Sequence, residues 1–290
     1  AALVKSKQIT SLELTQFFLA RLKKYDPILK AVITLTEERA IDRARQADKE
    51  ISAGNYRGPL HGIPYGVKDI IAVKGYKTTW GSEPYKDQVI EETATVVKKL
   101  DEAGAVLVAK LTSGALARGD VWFGGKTLSP WDTTQGSSGS SAGSASATAA
   151  GLVPFALGTE TWGSIVSPSA RCGVTGLRPT YGRVSRSGVM ALSWSMDKVG
   201  PICRSATDCA VVFETIRGVD EADPMTTEAS FNNDWDIPVQ ELKVGYLDKT
   251  FEKDTTNSGE NGRAALDVFR EMGVELKPVK FPDDFPFRAF

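Results

Sequence analysis

Gly136-Ser137-Ser138-Gly139-Ser140-Ser141-Ala142-Gly143-Ser144 decides the fold, because it reads either as a spacer or as the opening of a buried helix. Glycine and serine tracts usually form mobile linkers. This one, however, continues through the alanine-rich 145–150, rich in the best helix former. It then enters Gly151-Leu152-Val153-Pro154-Phe155-Ala156-Leu157-Gly158, an apolar run that reads as buried. Linkers seldom merge into a core. Small residues opening a helix leave backbone N–H groups free to face an anion or a developing negative charge.

Working outward, Lys68 precedes the tract in Gly62-Ile63-Pro64-Tyr65-Gly66-Val67-Lys68-Asp69, and Ser164 follows it in Thr161-Trp162-Gly163-Ser164-Ile165. A hydroxyl is a poor nucleophile at neutral pH and needs a base. A buried lysine with a lowered pKa can serve without histidine. The chain has a single histidine, His61, expected to be a structural hydrogen-bonding residue beside the Gly-Ile-Pro turn. Asp69 directly follows Lys68, so on a strand it points to the opposite face and is a poor relay candidate.

Composition bounds the rest. With 290 residues and 41% hydrophobic content the chain can bury a large core, as one α/β domain or two smaller ones. A net charge of −1 gives no reason to expect nucleic acid or an anionic membrane as a direct partner. Cys172, Cys203 and Cys209 lack the C-x-x-C spacing of a metal or redox site and are expected to be buried free thiols. No run reaches the ~18 apolar residues of a membrane span, and no signal segment opens the chain. A soluble, cytoplasmic protein is the expectation.

Thr10-Ser11-Leu12-Glu13 reads as a capping box. The helix after it carries Leu14, Phe17, Phe18, Leu22 and Tyr25 on one face and ends at Asp26-Pro27. A second helix fits Glu37 to Ser52, with Ile41, Ala44, Ala47 and Ile51 inward. From Gly62 onward strands and helices alternate. Tyr65 to Val73, Ala105 to Lys110, Val153 to Leu157, Val199 to Arg204, Leu242 to Leu247 and Val274 to Phe281 read as strands. Thr93 to Ala103, Ala145 to Ala150, Ala206 to Arg217 and Asn261 to Met272 read as helices. That order predicts a mainly parallel or mixed sheet covered on both faces. The acidic stretch from Gly218 to Pro238, with Asn232-Asn233-Asp234, reads as a surface loop rather than a domain boundary.

The motif Ser138-Gly139-Ser140-Ser141-Ala142-Gly143-Ser144 resembles the Gly-Gly-Ser-Ser-Gly-Gly-Ser of the amidase signature family of Ser-Ser-Lys amide hydrolases. Gly136-Ser137-Ser138-Gly139 offers a second register. Ser140 lies 24 residues before Ser164, the family's spacing, whereas Ser137 lies 27 before it. Pro130-Trp131-Asp132, Leu60-His61-Gly62-Ile63-Pro64, the run Pro168 to Gly182 and Asp197-Lys198-Val199-Gly200-Pro201 follow in the family's order. The resemblance covers nearly the whole chain, and motifs weak alone are strong in sequence.

The resemblance implies an α/β fold with a mixed, mainly parallel central sheet between helices. It implies one domain over 1–290, with peripheral N-terminal helices in 1–57 and a catalytic core in 58–290. The family continues well past the position of Phe290, so a C-terminal part is expected to be missing. By the same resemblance Ser164 is the nucleophile, Ser140 (after a cis peptide bond to Gly139) the relay and Lys68 the base. Backbone N–H groups of Thr161, Trp162, Gly163 and Ser164 form the oxyanion hole. No cofactor and no metal are implied. The substrate is a small-molecule amide, and a homodimer is compatible with the family. The alternative is the glutaminase component of a tRNA-dependent amidotransferase.

Departures from the family pattern bear on substrate. Trp162 and Val166 stand where many members have Gly and Arg, and Glu160 replaces Asp. Lys110-Leu111-Thr112-Ser113-Gly114-Ala115-Leu116 lacks the Asn and Glu of the amidotransferase branch. Without an arginine at 166, uncharged apolar acyl groups are expected, with Trp162 either a pocket wall or core, and Arg171 either compensating or making a surface contact.

Overall fold

Alternating side chains place the chemistry at one end of a sheet. The computed structural model describes residues 1–232, 236–247, 254–280 and 282, which cluster into two compact units, Ala1–Phe231 and Asn232–Phe290. In the first, the elements in chain order are α1 (Ala2–Lys5), α2 (Ser11–Leu29), β1 (Val32–Leu35), α3 (Glu37–Ser52), β2 (Pro64–Lys68), α4 (Thr95–Glu102) and β3 (Val106–Leu111). There follow the short β4 (Val121–Trp122) and β5 (Gly125–Lys126), α5 (Ala142–Ala149), β6 (Ala156–Glu160), α6 (Val166–Cys172), β7 (Thr175–Gly176), β8 (Lys198–Cys203) and α7 (Ala206–Ile216).

Six strands form one sheet in the order β1-β3-β2-β6-β8-β7. The central β3, β2 and β6 are parallel, and β1 and β8 run antiparallel to their neighbours. This is the expected mixed, mainly parallel sheet. Tyr65, Val67, Leu107 and Leu157 pack with Val96, Val97 and Leu100 of α4 and Val212, Phe213 and Ile216 of α7. Val106, Val108 and Ala156 pack with Leu19 and Leu22 of α2, Ala40 and Ala44 of α3 and Ala147 of α5. Period-two alternation thus gives each face its own core.

The Ser/Gly tract is ordered, and α5 is buried along nearly its whole length. Gly143 permits this close packing. A Cβ there would meet Ala31 O at 2.3 Å and Thr112 N at 2.4 Å, backbone atoms that cannot swing away. Gly143→Ala is therefore expected to cost about 3 kcal/mol, read as a lower urea midpoint; a loss under about 1 kcal/mol would mean that α5 can shift.

Some expectations are corrected. The Thr10 capping box is present, with Glu13 N donating to Thr10 Oγ1 at 3.0 Å and Thr10 N to Glu13 Oε2 at 2.8 Å. The helix, however, runs through Pro27 to Leu29 before Lys30 caps it in the left-handed region. Pro27 and Lys23 are both exposed, so the missing amide costs little in the last turn. Phe17 points outward at 55% exposure, and Ala40 rather than Ile41 is fully buried. Strand β2 stops at Lys68, short of Val73, and the strand expected from Val153 begins only at Ala156, after Pro154. Neither the edge strand β1 nor α6, which contains Pro168, was expected.

The second unit contains β9 (Val244–Leu247), α8 (Asn257–Glu271) and β10 (Leu276–Val279), with β9 and β10 parallel. Phe281 and 283–290, with Asn233 and Asp234 of the expected surface loop, lie outside the described residues. Among the described residues no helix is long and apolar enough to cross a membrane.

Candidate active site

Lys68 is the last residue of β2, and its alternation turns it toward the start of α5. The side chain is fully buried. Its Nζ lies 2.7 Å from Ser140 Oγ and 2.8 Å from Thr159 Oγ1. Burial pushes the ammonium down to about 7, while the Asp197 and Glu160 carboxylates oppose a further fall. A lysine so placed is half neutral near pH 7 and can accept a proton. Ser137, the other register, instead turns its hydroxyl onto Ser138 O at 2.9 Å. The Gly139–Ser140 peptide bond is cis.

Asp69 goes the other way, as expected. Its carboxylate meets Lys110 Nζ at 2.9 Å, both side chains being fully buried. It also accepts from the Thr79 amide at 2.8 Å and from the Thr79 hydroxyl. Lys110 Nζ in turn donates to Thr78 Oγ1 and to Lys77 O. His61 is structural: Nδ1 accepts from Arg57 N at 3.1 Å, Nε2 faces Glu50, and burial pushes its pKa down. The three cysteines are free and buried.

Ser164 lies on the turn between β6 and α6, joined to the other serine segment by Ser141 N donating to Ser164 O at 3.1 Å. Glu160 holds this turn, a role that sequence reasoning missed. Buried at the end of β6, its carboxylate accepts from Ile165 N at 2.8 Å and Val166 N at 3.0 Å, and pairs with Arg178 Nη1 at 3.3 Å. Burial raises its pKa, but the amides of Val166, Ile165 and Gly163 with Arg178 bring it below the usual carboxylate range. An acidic residue at a strand end, just before a helix start, was the available signal. Gly163, one of the four expected oxyanion donors, thus contributes to holding the Glu160 carboxyl down.

Glu160→Ala should cost about 2–3 kcal/mol by leaving buried amides unpaired. The sign of its pH dependence follows from the lowered pKa. This stabilisation is complete above the unfolded carboxyl pKa and is lost as pH falls through the folded one. Thermal unfolding of both proteins between pH 3 and 7 checks this; a gap that widens in acid would contradict it.

Asp197 was also missed as a connector. It accepts from the Thr161 hydroxyl and from Leu192 N and Ser193 N at 2.7 and 2.9 Å. It thus joins the Ser164 turn to the segment 190–196, which forms one wall of a cavity of about 280 Å³ above Ser140, Thr159, Thr161 and Ser164. Trp162 is neither wall nor core: it is 78% exposed and absent from the cavity lining. Arg171 makes a surface contact, donating to Gln135 Oε1 at 2.7 Å. Among the described residues no His, Cys, Asp and Glu cluster suits a metal ion.

The family model for amidases matches residues 13–286. The A subunit of the glutamyl-tRNA(Gln) amidotransferase of Methylococcus capsulatus is 40% identical over 98% of this chain and 60% of its own length. Among solved structures, the peptide amidase of Stenotrophomonas maltophilia superposes with a TM-score of 0.89 at 35% identity, over 99% of this chain and 62% of its own. The corresponding amidotransferase component of Thermotoga maritima gives 0.81 at 33% identity, over 94% and 59%. This chain therefore spans about 60% of the length of these relatives.

Proposed function

The chain belongs to the amidase family, and from that premise we propose that it hydrolyses a carboxamide C–N bond through an acyl-enzyme on Ser164. The observation that carries this reading is the 2.7 Å contact between Ser140 Oγ and the buried, easily neutralised Lys68. Ser164 Oγ attacks the carbonyl carbon and loses its proton to Ser140, which passes its own to Lys68 Nζ. The tetrahedral oxyanion is met by backbone N–H groups of the 161–164 turn. Those of Thr161, Trp162, Gly163 and Ser164 are the donors in this reading. Lys68 then returns the proton through Ser140 to the departing nitrogen, and water repeats the sequence on the ester.

The test is a neutral fluorophosphonate followed by mass spectrometry. An adduct on Ser164 is expected; an adduct on Ser140 or Ser141 would reverse the roles. A second reading, favoured by the 40% identical relative, is that the protein is the glutaminase component of a tRNA-dependent amidotransferase. Ammonia release from simple amides by the purified protein alone supports the first reading. Release only with partner subunits, ATP and charged tRNA supports the second.

A further inference from the structure

Four charged side chains line the cavity above Ser164: Arg186, Asp197, Lys198 and Asp223. Three are committed to protein partners. Arg186 and Asp223 form a two-point ion pair, Nε to Oδ2 at 3.0 Å and Nη2 to Oδ1 at 2.9 Å, and Arg186 Nη1 donates to Trp194 O at 2.7 Å. Asp197 already accepts from one hydroxyl and two amides. Lys198 differs. Its Nζ donates to Thr161 O at 3.2 Å, and among the described residues it has no ion-pair partner. An ammonium carries three N–H donors, of which Thr161 O takes one, on a side chain that lines the cavity. Burial lowers its pKa and the positive charge of Arg178 adds to the effect, against the opposing carboxylates of Glu160 and Asp197; an anion beside the ammonium favours its charged form.

We propose that Lys198 is a specificity-determining residue that holds a carboxylate of the amide substrate, which makes short monoamides of dicarboxylic acids the preferred class. The inference rests on the amidase reading of Ser164. Thr161 O, against which the ammonium leans, is three residues before Ser164, so a carboxylate on Lys198 stands a short chain away from the attacked carbonyl. Apolar walls at Ile70, Val189 and Leu192 strengthen the attraction relative to bulk water. A cavity of about 280 Å³ fits a small acyl group. This replaces the expectation, drawn from Val166, that uncharged acyl groups are favoured: the cation comes from β8 instead of from the nucleophile helix.

The experiment compares kcat/KM for succinamate with that for butanamide, a neutral analogue of similar size, in the wild type and in Lys198→Met, Lys198→Arg and Lys198→Glu. In Lys198→Met the succinamate-to-butanamide ratio should fall about tenfold or more, as expected for a lost charge-assisted hydrogen bond. Loss of the tie to Thr161 O lowers both rates without changing that ratio. Lys198→Arg should keep the preference, and Lys198→Glu should reverse it in favour of the cationic β-alaninamide. An unchanged ratio in Lys198→Met would overturn the proposal and leave Lys198 a support for the turn. Fluorophosphonate labelling separates this from failure of the amidase reading. Labelling of Ser164 that succinate does not slow overturns the carboxylate site alone, whereas absence of both labelling and hydrolysis overturns the two together.

Discussion

Ser164→Ala is expected to lower amide hydrolysis by roughly 10⁴-fold or more, to the level that oxyanion donors and binding sustain without a nucleophile. The fold should not change. The turn is held by backbone groups and by Glu160: Ser164 contributes its carbonyl to Ser141 N, and Ile165 and Val166 their amides to the carboxylate. None of these needs the hydroxyl. Ammonia release and thermal unfolding on the same preparation check both halves. Residual activity above about 1% of wild type would assign the nucleophile elsewhere.

Lys68→Met should separate activity from stability. The base is lost, so hydrolysis should fall as steeply as for Ser164→Ala, and the acidic limb of the wild-type pH profile, centred near the lysine's value of about 7, should vanish. The sign is fixed by the neutral form being the base: activity falls as pH drops through that value and the ammonium forms. Stability should move the other way. Lowering the pKa from 10.5 to about 7 corresponds to about 4 kcal/mol of folding free energy forgone at pH 7. Methionine gives up two hydrogen bonds, to Ser140 and Thr159, at about 1 kcal/mol each. A net gain of about 2 kcal/mol is left. Since the unfolded lysine binds its proton up to higher pH, wild-type stability should rise between pH 7 and 10, and the advantage of methionine should shrink. A destabilised Lys68→Met at pH 7 would refute the depressed pKa.

What the sequence made legible was local or periodic. The capping box at Thr10, the helix over Glu37–Ser52 and the alternation in β2 all depend on residues within a turn or a strand. The Lys68–Ser140 contact was legible only through spacing shared with a family, because 72 residues separate two side chains that the parallel sheet brings together. Glu160 and Asp197 were not legible as supports. Most of their partners are backbone amides, which carry no residue identity, and a carboxylate bound to N–H groups looks in sequence like any exposed acid. Trp162 was misjudged for a related reason: its place beside Ser164 fixes where the main chain goes, and its side chain is free to leave the cavity. Pro27 misled because a proline in the last turn forfeits one exposed hydrogen bond, to Lys23 O, without ending the helix.

The buried Asp69–Lys110 pair bears on how strand β2 finds its alignment with β3. Val67 pairs with Lys110 and Lys68 with Leu111 in the ladder, and Asp69 N extends it by donating to Leu111 O at 2.8 Å. Sliding β2 by one residue would turn Asp69 toward Ser140 and leave Lys110 alone in the interior. An abandoned interior charge costs about 3–5 kcal/mol. Hydrophobic patterning penalises the same slip only weakly here, because β2 and β3 are apolar on both faces and a shifted Val or Tyr would still be buried. The ion pair therefore penalises the slipped alignment where packing does not, and a chain with both residues made apolar is expected to match the wild type in equilibrium stability yet yield a fraction of molecules with Lys68 on the wrong side of the sheet.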